Sequence, residues 1–171
     1  MSQGARAGPH SAGALGFVLR TTGLLLVGLV LLAVAPSIER TLIGATILSL
    51  GALSAILGID FAASGATVRV AGASMVIIAD CTPVMAILVL WSAVTAFPAA
   101  FRWRLVGALA GAAALWVYNV LRVLALGLLL RHRPEWFDLL HVYLWQSLSL
   151  LFVLALFAAW VEIVRSTGAT R

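Results

Sequence analysis

The residues best suited to covalent chemistry in this 171-residue chain are its single cysteine, Cys81, and two others. These are Arg122, set inside a long apolar run, and His141, at the start of the last apolar run. A cysteine thiolate is a nucleophile, an imidazole carries protons near neutral pH, and a guanidinium stabilises an oxyanion. Together they suffice for acyl transfer through a thioester. Asn119 precedes Arg122 by three residues and so shares its helix face, where it could hold the guanidinium or a substrate carbonyl. Each residue also has a plain reading. A lone cysteine in an apolar chain packs as a small core residue, an intramembrane arginine takes a structural ion-pair role, and a histidine at a helix end caps it or lies at the interface.

Among the other polar residues, Asp80 reads as a surface or capping residue and Asp138 as the cap of the last helix. His132, between Arg131 and Arg133, is an interface residue and a reserve acid/base. Trp136, Tyr143 and Trp145 read as an aromatic belt, and Gln146 as interhelical packing. Neither a metal-ligand cluster, nor a P-loop, nor a dinucleotide fingerprint is present in the sequence, and no cofactor is implied.

The elements that would position these residues follow from composition. At 63% hydrophobic, 10% charged and a mean hydropathy of +1.12, the chain lies outside the range of soluble domains. Its net charge of +5 comes from arginines at the edges of apolar runs, which points to anchoring in membrane lipid rather than to nucleic acid. We expect one all-α membrane domain over residues 1–171, with a polar tail at 1–14 and about five transmembrane helices near 15–35, 41–59, 82–98, 105–130 and 141–164. The first apolar run reads as a retained helix rather than a cleaved signal. The first two helices are close enough in sequence to form an antiparallel hairpin.

Between Asp60 and Asp80 two short β-rich runs around a glycine-containing turn predict a hairpin-like segment at the membrane surface; a helix beginning at Met75 is the alternative. Thr82-Pro83 predicts a helix start, with Thr82 as N-cap and Pro83 as the first helical residue. Phe101-Arg102-Trp103-Arg104 reads as an interfacial loop. Alternating helix directions then bring Cys81, Arg122 and His141 to one membrane face. Arg122, roughly 12 Å below the end of its helix, could snorkel to the level of Cys81. Arginines do not decide the orientation: Arg40, Arg102, Arg104, Arg165 and Arg171 fall on one side, Arg6, Arg20, Arg69, Arg131 and Arg133 on the other.

At these residues the sequence resembles the exosortase/archaeosortase family of membrane cysteine transpeptidases. The matching elements are Asp80-Cys81-Thr82, Ala96-Phe97-Pro98, Asn119-Val120-Leu121-Arg122-Val123, and the segment from Phe137 to Gln146 around His141, which is similar to the small exosortase H branch. The resemblance is tight from Arg69 to Gln146, and Pro83 departs from the glycine many relatives carry two residues after the cysteine. It implies Cys81 as nucleophile, Arg122 and His141 as catalytic partners, and an active site on the extracytoplasmic side of the cell membrane. It further implies secreted protein substrates that end in a short motif, a hydrophobic helix and a basic cluster. Two rivals stand beside it: hydrolysis without transfer, and a non-enzymatic membrane assembly or transport subunit in which Arg122 and Asn119 pair with another chain.

Overall fold

The computed structural model describes residues 9–137 and 139–168, with side chains from residue 13 onward and excepting that of residue 142. Five α-helices carry the chain: α1 (Pro9–Val34), α2 (Pro36–Ile56), α3 (Val84–Ala96), α4 (Phe101–His132) and α5 (Trp145–Ser166). Four helical stretches are long and apolar enough to cross a membrane: Gly13–Val34, Pro36–Ile56, Phe101–His132 and Leu139–Ser166. α3, at 13 residues, is only about 20 Å long and falls short of a bilayer core. The expected third span at 82–98 is thus shortened at both ends, and the expected fourth at 105–130 is lengthened.

Ala35 alone separates α1 from α2. That is shorter than the about 2–5 residues usual between antiparallel helices, and in place of the expected packed hairpin the two helices take different partners. Gly28 of α1 lies against Leu88 of α3, and Phe17 stacks on Phe157 of α5 at 6.1 Å. α2 instead packs on α4, where the Trp116 indole donates to Ser49 Oγ at 3.1 Å.

Residues 61–76 form a three-stranded antiparallel sheet, one strand more than expected: β1 (Phe61–Ser64), β2 (Thr67–Val70) and β3 (Ala73–Val76), in that spatial order. Met75 is therefore in a strand and not at a helix start. The β2–β3 turn, Ala71-Gly72, has positive φ at both residues (50° and 92°), the type I′ geometry that matches strand twist. Ala71 is the one described non-glycine residue with positive φ, and two main-chain contacts hold it. Its N–H donates to the Asp60 carbonyl at 2.8 Å and its carbonyl accepts from Arg131 Nη1 at 2.6 Å.

α4 is the shared wall of two cores. On one side Leu50, Val68, Val70, Ile77, Val120, Val123 and Leu124 join α2, the sheet and α4. On the other, Leu90, Val94, Leu115, Val153, Trp160 and Val164 join α3, α4 and α5. Close approach there depends on Gly107, which faces the Trp160 indole, and Gly111, which faces Leu90. Arg102 and Arg104 belong to the first turn of α4 rather than to a loop. Arg104 Nε donates to the Ala99 carbonyl at 2.8 Å, just past α3, and its Nη1 reaches Thr95 O at 3.3 Å in the last turn of α3, which places a cation at the C-terminus of that helix.

Candidate functional site

α3, α4 and α5 run antiparallel in turn. Trp91 of α3 donates from Nε1 to the Ala108 carbonyl of α4 at 2.8 Å, and Trp160 of α5 donates to the Trp103 carbonyl at 3.0 Å. The start of α3, the later half of α4 and the start of α5 therefore share one end of the bundle. This holds whatever the course of α1 and α2.

The chain enters that end through a 3-10 turn, Ala79–Cys81. Thr82 does not cap α3 as expected: its Oγ1 donates back to the Ala79 carbonyl at 2.7 Å, and Pro83 takes the N-cap position, its carbonyl accepting from the Ile87 N–H at 2.9 Å. Cys81 thus precedes the helix instead of opening it. Asn119, 3% exposed, donates from Nδ2 to the Cys81 carbonyl at 2.7 Å, a tie between two segments 38 residues apart. Its Oδ1 lies 3.5 Å from Arg122 Nη1, long for such a bond.

Arg122 is 9% exposed and does not snorkel outward. With α4 extended to His132 it sits about 15 Å from the helix end. Among the described residues its Nε has no hydrogen-bond partner and no carboxylate lies within ion-pair distance; the one ion pair there is Arg133–Glu135, 3.6 Å apart at the surface. A buried guanidinium without an anion is costly unless it faces a partner or a wet cavity.

A cavity of about 660 Å³ opens beside it, bounded by α3, α4 and α5. Asp80, Thr82, Asn119, Arg122, His141 and Gln146 line its polar part, while Met85, Ala86, Val89, Leu115, Leu150 and Val153 form an apolar part. His141 lies in a π-helical turn, Leu139–Leu144, that precedes α5, and its ring stacks on Phe137 at 5.3 Å and 5°. Such turns recur at functional sites because they re-aim side chains out of the regular helical ladder. The expected cap Asp138 lies outside the described residues.

Three of the four sequence-named residues, Asn119, Arg122 and His141, meet on this cavity. Cys81 is not among the lining residues; it is joined to them through its carbonyl, which accepts from Asn119. Its side chain is half-buried against the α2–sheet–α4 core, while Asp80, Thr82 and Pro83 on either side line the cavity. Asp80 and Gln146, read from sequence as capping and packing residues, are lining residues too. Tyr118, Ser147 and Ser149, which no sequence motif marks, line the cavity as well. Ser149 Oγ donates to the Trp145 carbonyl at 2.7 Å and lies 3.3 Å from Tyr118 Oη, and the Tyr118 ring contacts Phe152 at 4.9 Å. Of the expected aromatic belt, Trp136 and Tyr143 are exposed, whereas Trp145 turns its edge to Tyr118 at 6.2 Å. No group of three or more metal-ligating side chains occurs among the described residues. No protein-family model, curated protein or solved structure matches the chain, so the geometry of this cavity and the sequence motifs are what a functional reading must account for.

Proposed function

We propose that this chain is a membrane-embedded cysteine transpeptidase of the exosortase/archaeosortase type. It would cleave a C-terminal sorting signal from secreted proteins at the extracytoplasmic face of the cell membrane. The observation that carries the reading is Arg122: a buried guanidinium with no acidic partner among the described residues, facing a cavity shared with His141 and tied through Asn119 to the Cys81 main chain. Four apolar helices long enough to span a bilayer and the motif resemblance around Cys81, Asn119, Arg122 and His141 support it.

In this mechanism the Cys81 thiolate attacks the carbonyl carbon of the scissile peptide and forms a C–S bond. Arg122 stabilises the oxyanion of the tetrahedral intermediate, with Asn119 positioning the guanidinium. The C–N bond then breaks, His141 donates a proton to the leaving amine, and a thioester remains on Cys81. His141 next takes a proton from water or from a cell-surface nucleophile, which attacks the thioester carbon and releases the Cys81 thiolate. The first part of the cycle requires Sγ to leave the apolar core and enter the cavity.

That displaced thiol is also the observation favouring the second reading, a non-enzymatic assembly or transport subunit in which Arg122 and Asn119 are polar contacts to another chain. Expressing Cys81→Ala, Arg122→Ala and His141→Ala beside a tagged secreted reporter separates the two. The reporter carries a short motif, an apolar helix and a basic cluster. Transpeptidation predicts loss of tail removal in all three with normal insertion. Normal tail removal in Cys81→Ala would sink it, and the subunit reading predicts a silent Cys81→Ser with failed assembly in Arg122→Ala. Mass spectrometry of the reporter's new C-terminus distinguishes transfer from hydrolysis.

A further inference from the structure

β3 is an edge strand whose free side leads to Cys81. In a two-residue antiparallel hairpin the pair flanking the turn exchanges both hydrogen bonds, and bonded and non-bonded pairs alternate from there. Val70–Ala73 and Val68–Met75 are therefore the bonded pairs of β2 and β3. The Ile77 N–H continues the same parity by donating to the Ala66 carbonyl at 2.8 Å. Ser74 and Val76, in between, turn their N–H and C=O groups away from the sheet. Both residues are exposed, and among the described residues these main-chain groups find no partner off the sheet. An open row of donors and acceptors near a bilayer is costly unless another strand or water takes it.

Two observations identify what fits there. The first is direction: from Val76 the chain passes through Ile77 and Ile78 into the Ala79–Cys81 turn, whose Asp80 lines the cavity, so a strand laid parallel to β3 is directed toward it. β1, the other edge, leads instead to α2, where Phe61 lies against Gly51. The second is charge. Arg69 is exposed on β2, and its cross-strand neighbours Ala62 and Ser74 are small and uncharged. No acidic group among the described residues pairs with Arg69.

We propose that β3 docks an extended segment of the protein substrate as a fourth strand, with an acidic side chain reaching over Ser74 to Arg69. The scissile bond that follows is thereby delivered to the cavity. This rests on the transpeptidase reading for its substrate, but docking and chemistry fail separately. Main-chain bonds to β3 give affinity, and the Arg69 contact sets the register.

The test uses the full chain in phospholipid vesicles with a synthetic peptide. The peptide carries an extended segment with one Glu and one benzophenone, a spanning helix of about 20 apolar residues and an Arg cluster. Photolysis is expected to give a cross-link to residues 73–76, in the native chain and in Cys81→Ala alike. N-methylation of alternate peptide amides in one parity, or Ser74→Pro with Val76→Pro, should weaken cross-linking roughly fivefold for each N–H lost. Edge strands accept Pro where the N–H points outward. The N-methylated peptides make the same test on unaltered protein should the Pro variants misfold. Ala63→Pro on the β1 edge should have no effect, and Arg69→Glu should move the preference from a Glu to a Lys peptide. Tail removal without a β3 cross-link, or cross-linking indifferent to N-methylation, overturns the docking proposal and leaves the chemistry standing. A parity-dependent cross-link without tail removal supports docking and refutes the transpeptidase.

Discussion

Replacing Asn119 with Ala removes the link on which the proposed site depends. The Nδ2 donor lies 2.7 Å from the Cys81 carbonyl, and Asn119 is 3% exposed. Leaving a buried carbonyl unsatisfied costs about 1–3 kcal/mol. The 3.5 Å approach to Arg122 adds little. Ala is a better helix former than Asn by up to about 0.7 kcal/mol, which offsets part of the loss. The net is a destabilisation of about 1–2 kcal/mol, or a Tm about 2–8 °C lower for a chain of this size. A shift of the Cys81 turn by about 1 Å would also slow tail removal on the order of 100-fold. Asn119→Asp should slow it further, since a carboxylate would repel the Cys81 carbonyl and occupy Arg122. Thermal unfolding in detergent and a tail-removal time course measure both effects. An Asn119→Ala chain with unchanged Tm and unchanged rate would refute the idea that this contact holds the Cys81 turn.

Other outcomes follow from the same geometry. Arg122→Met should leave Tm unchanged or raise it, because a buried cation with no acidic partner among the described residues gives way to an apolar chain of similar length. The same variant should abolish tail removal, and calorimetry beside the reporter assay checks the pair. Gly107→Ala puts a methyl group into the Trp160 indole, whose N–H bonds to Trp103 O, and should cost about 1–3 kcal/mol by denaturant titration in detergent. Ala71→Gly relieves a positive φ of 50° and should raise Tm by the equivalent of up to about 1 kcal/mol, provided Arg131 keeps its bond to residue 71.

What the sequence disclosed of the site divides along physical lines. Arg122 stands out because a charge inside an apolar run has few places to go, and Asn119 follows from the i, i−3 spacing on one helix face. The meeting of the α3 start, late α4 and the α5 start follows from alternating directions and tolerates errors of several residues in helix ends. The direction of the Cys81 side chain was hidden because a tertiary contact from Asn119 to its carbonyl, together with the Thr82–Ala79 bond, sets the 3-10 turn. Tyr118 and Ser149 are not legible in the sequence because their place depends on which face of each helix borders the cavity. The one available signal was Gln146, Ser147 and Ser149 together as polar residues near the start of an otherwise apolar helix. β1 was missed because Ala62, Ala63 and Ser64 have weak strand preference and are held by the register of the Gly65 turn. The α1–α2 corner turns on a single residue, finer than hydropathy resolves.

The most direct test is to trap the thioester. The full chain in vesicles is incubated with a tailed reporter, quenched in acid, digested, and the Cys81 peptide examined by mass spectrometry. A reporter acyl group on Cys81, removed by hydroxylamine and missing in His141→Ala or Arg122→Ala, is the predicted result. Tail removal that proceeds with Cys81 unmodified, and at the native rate in Cys81→Ala, would contradict it.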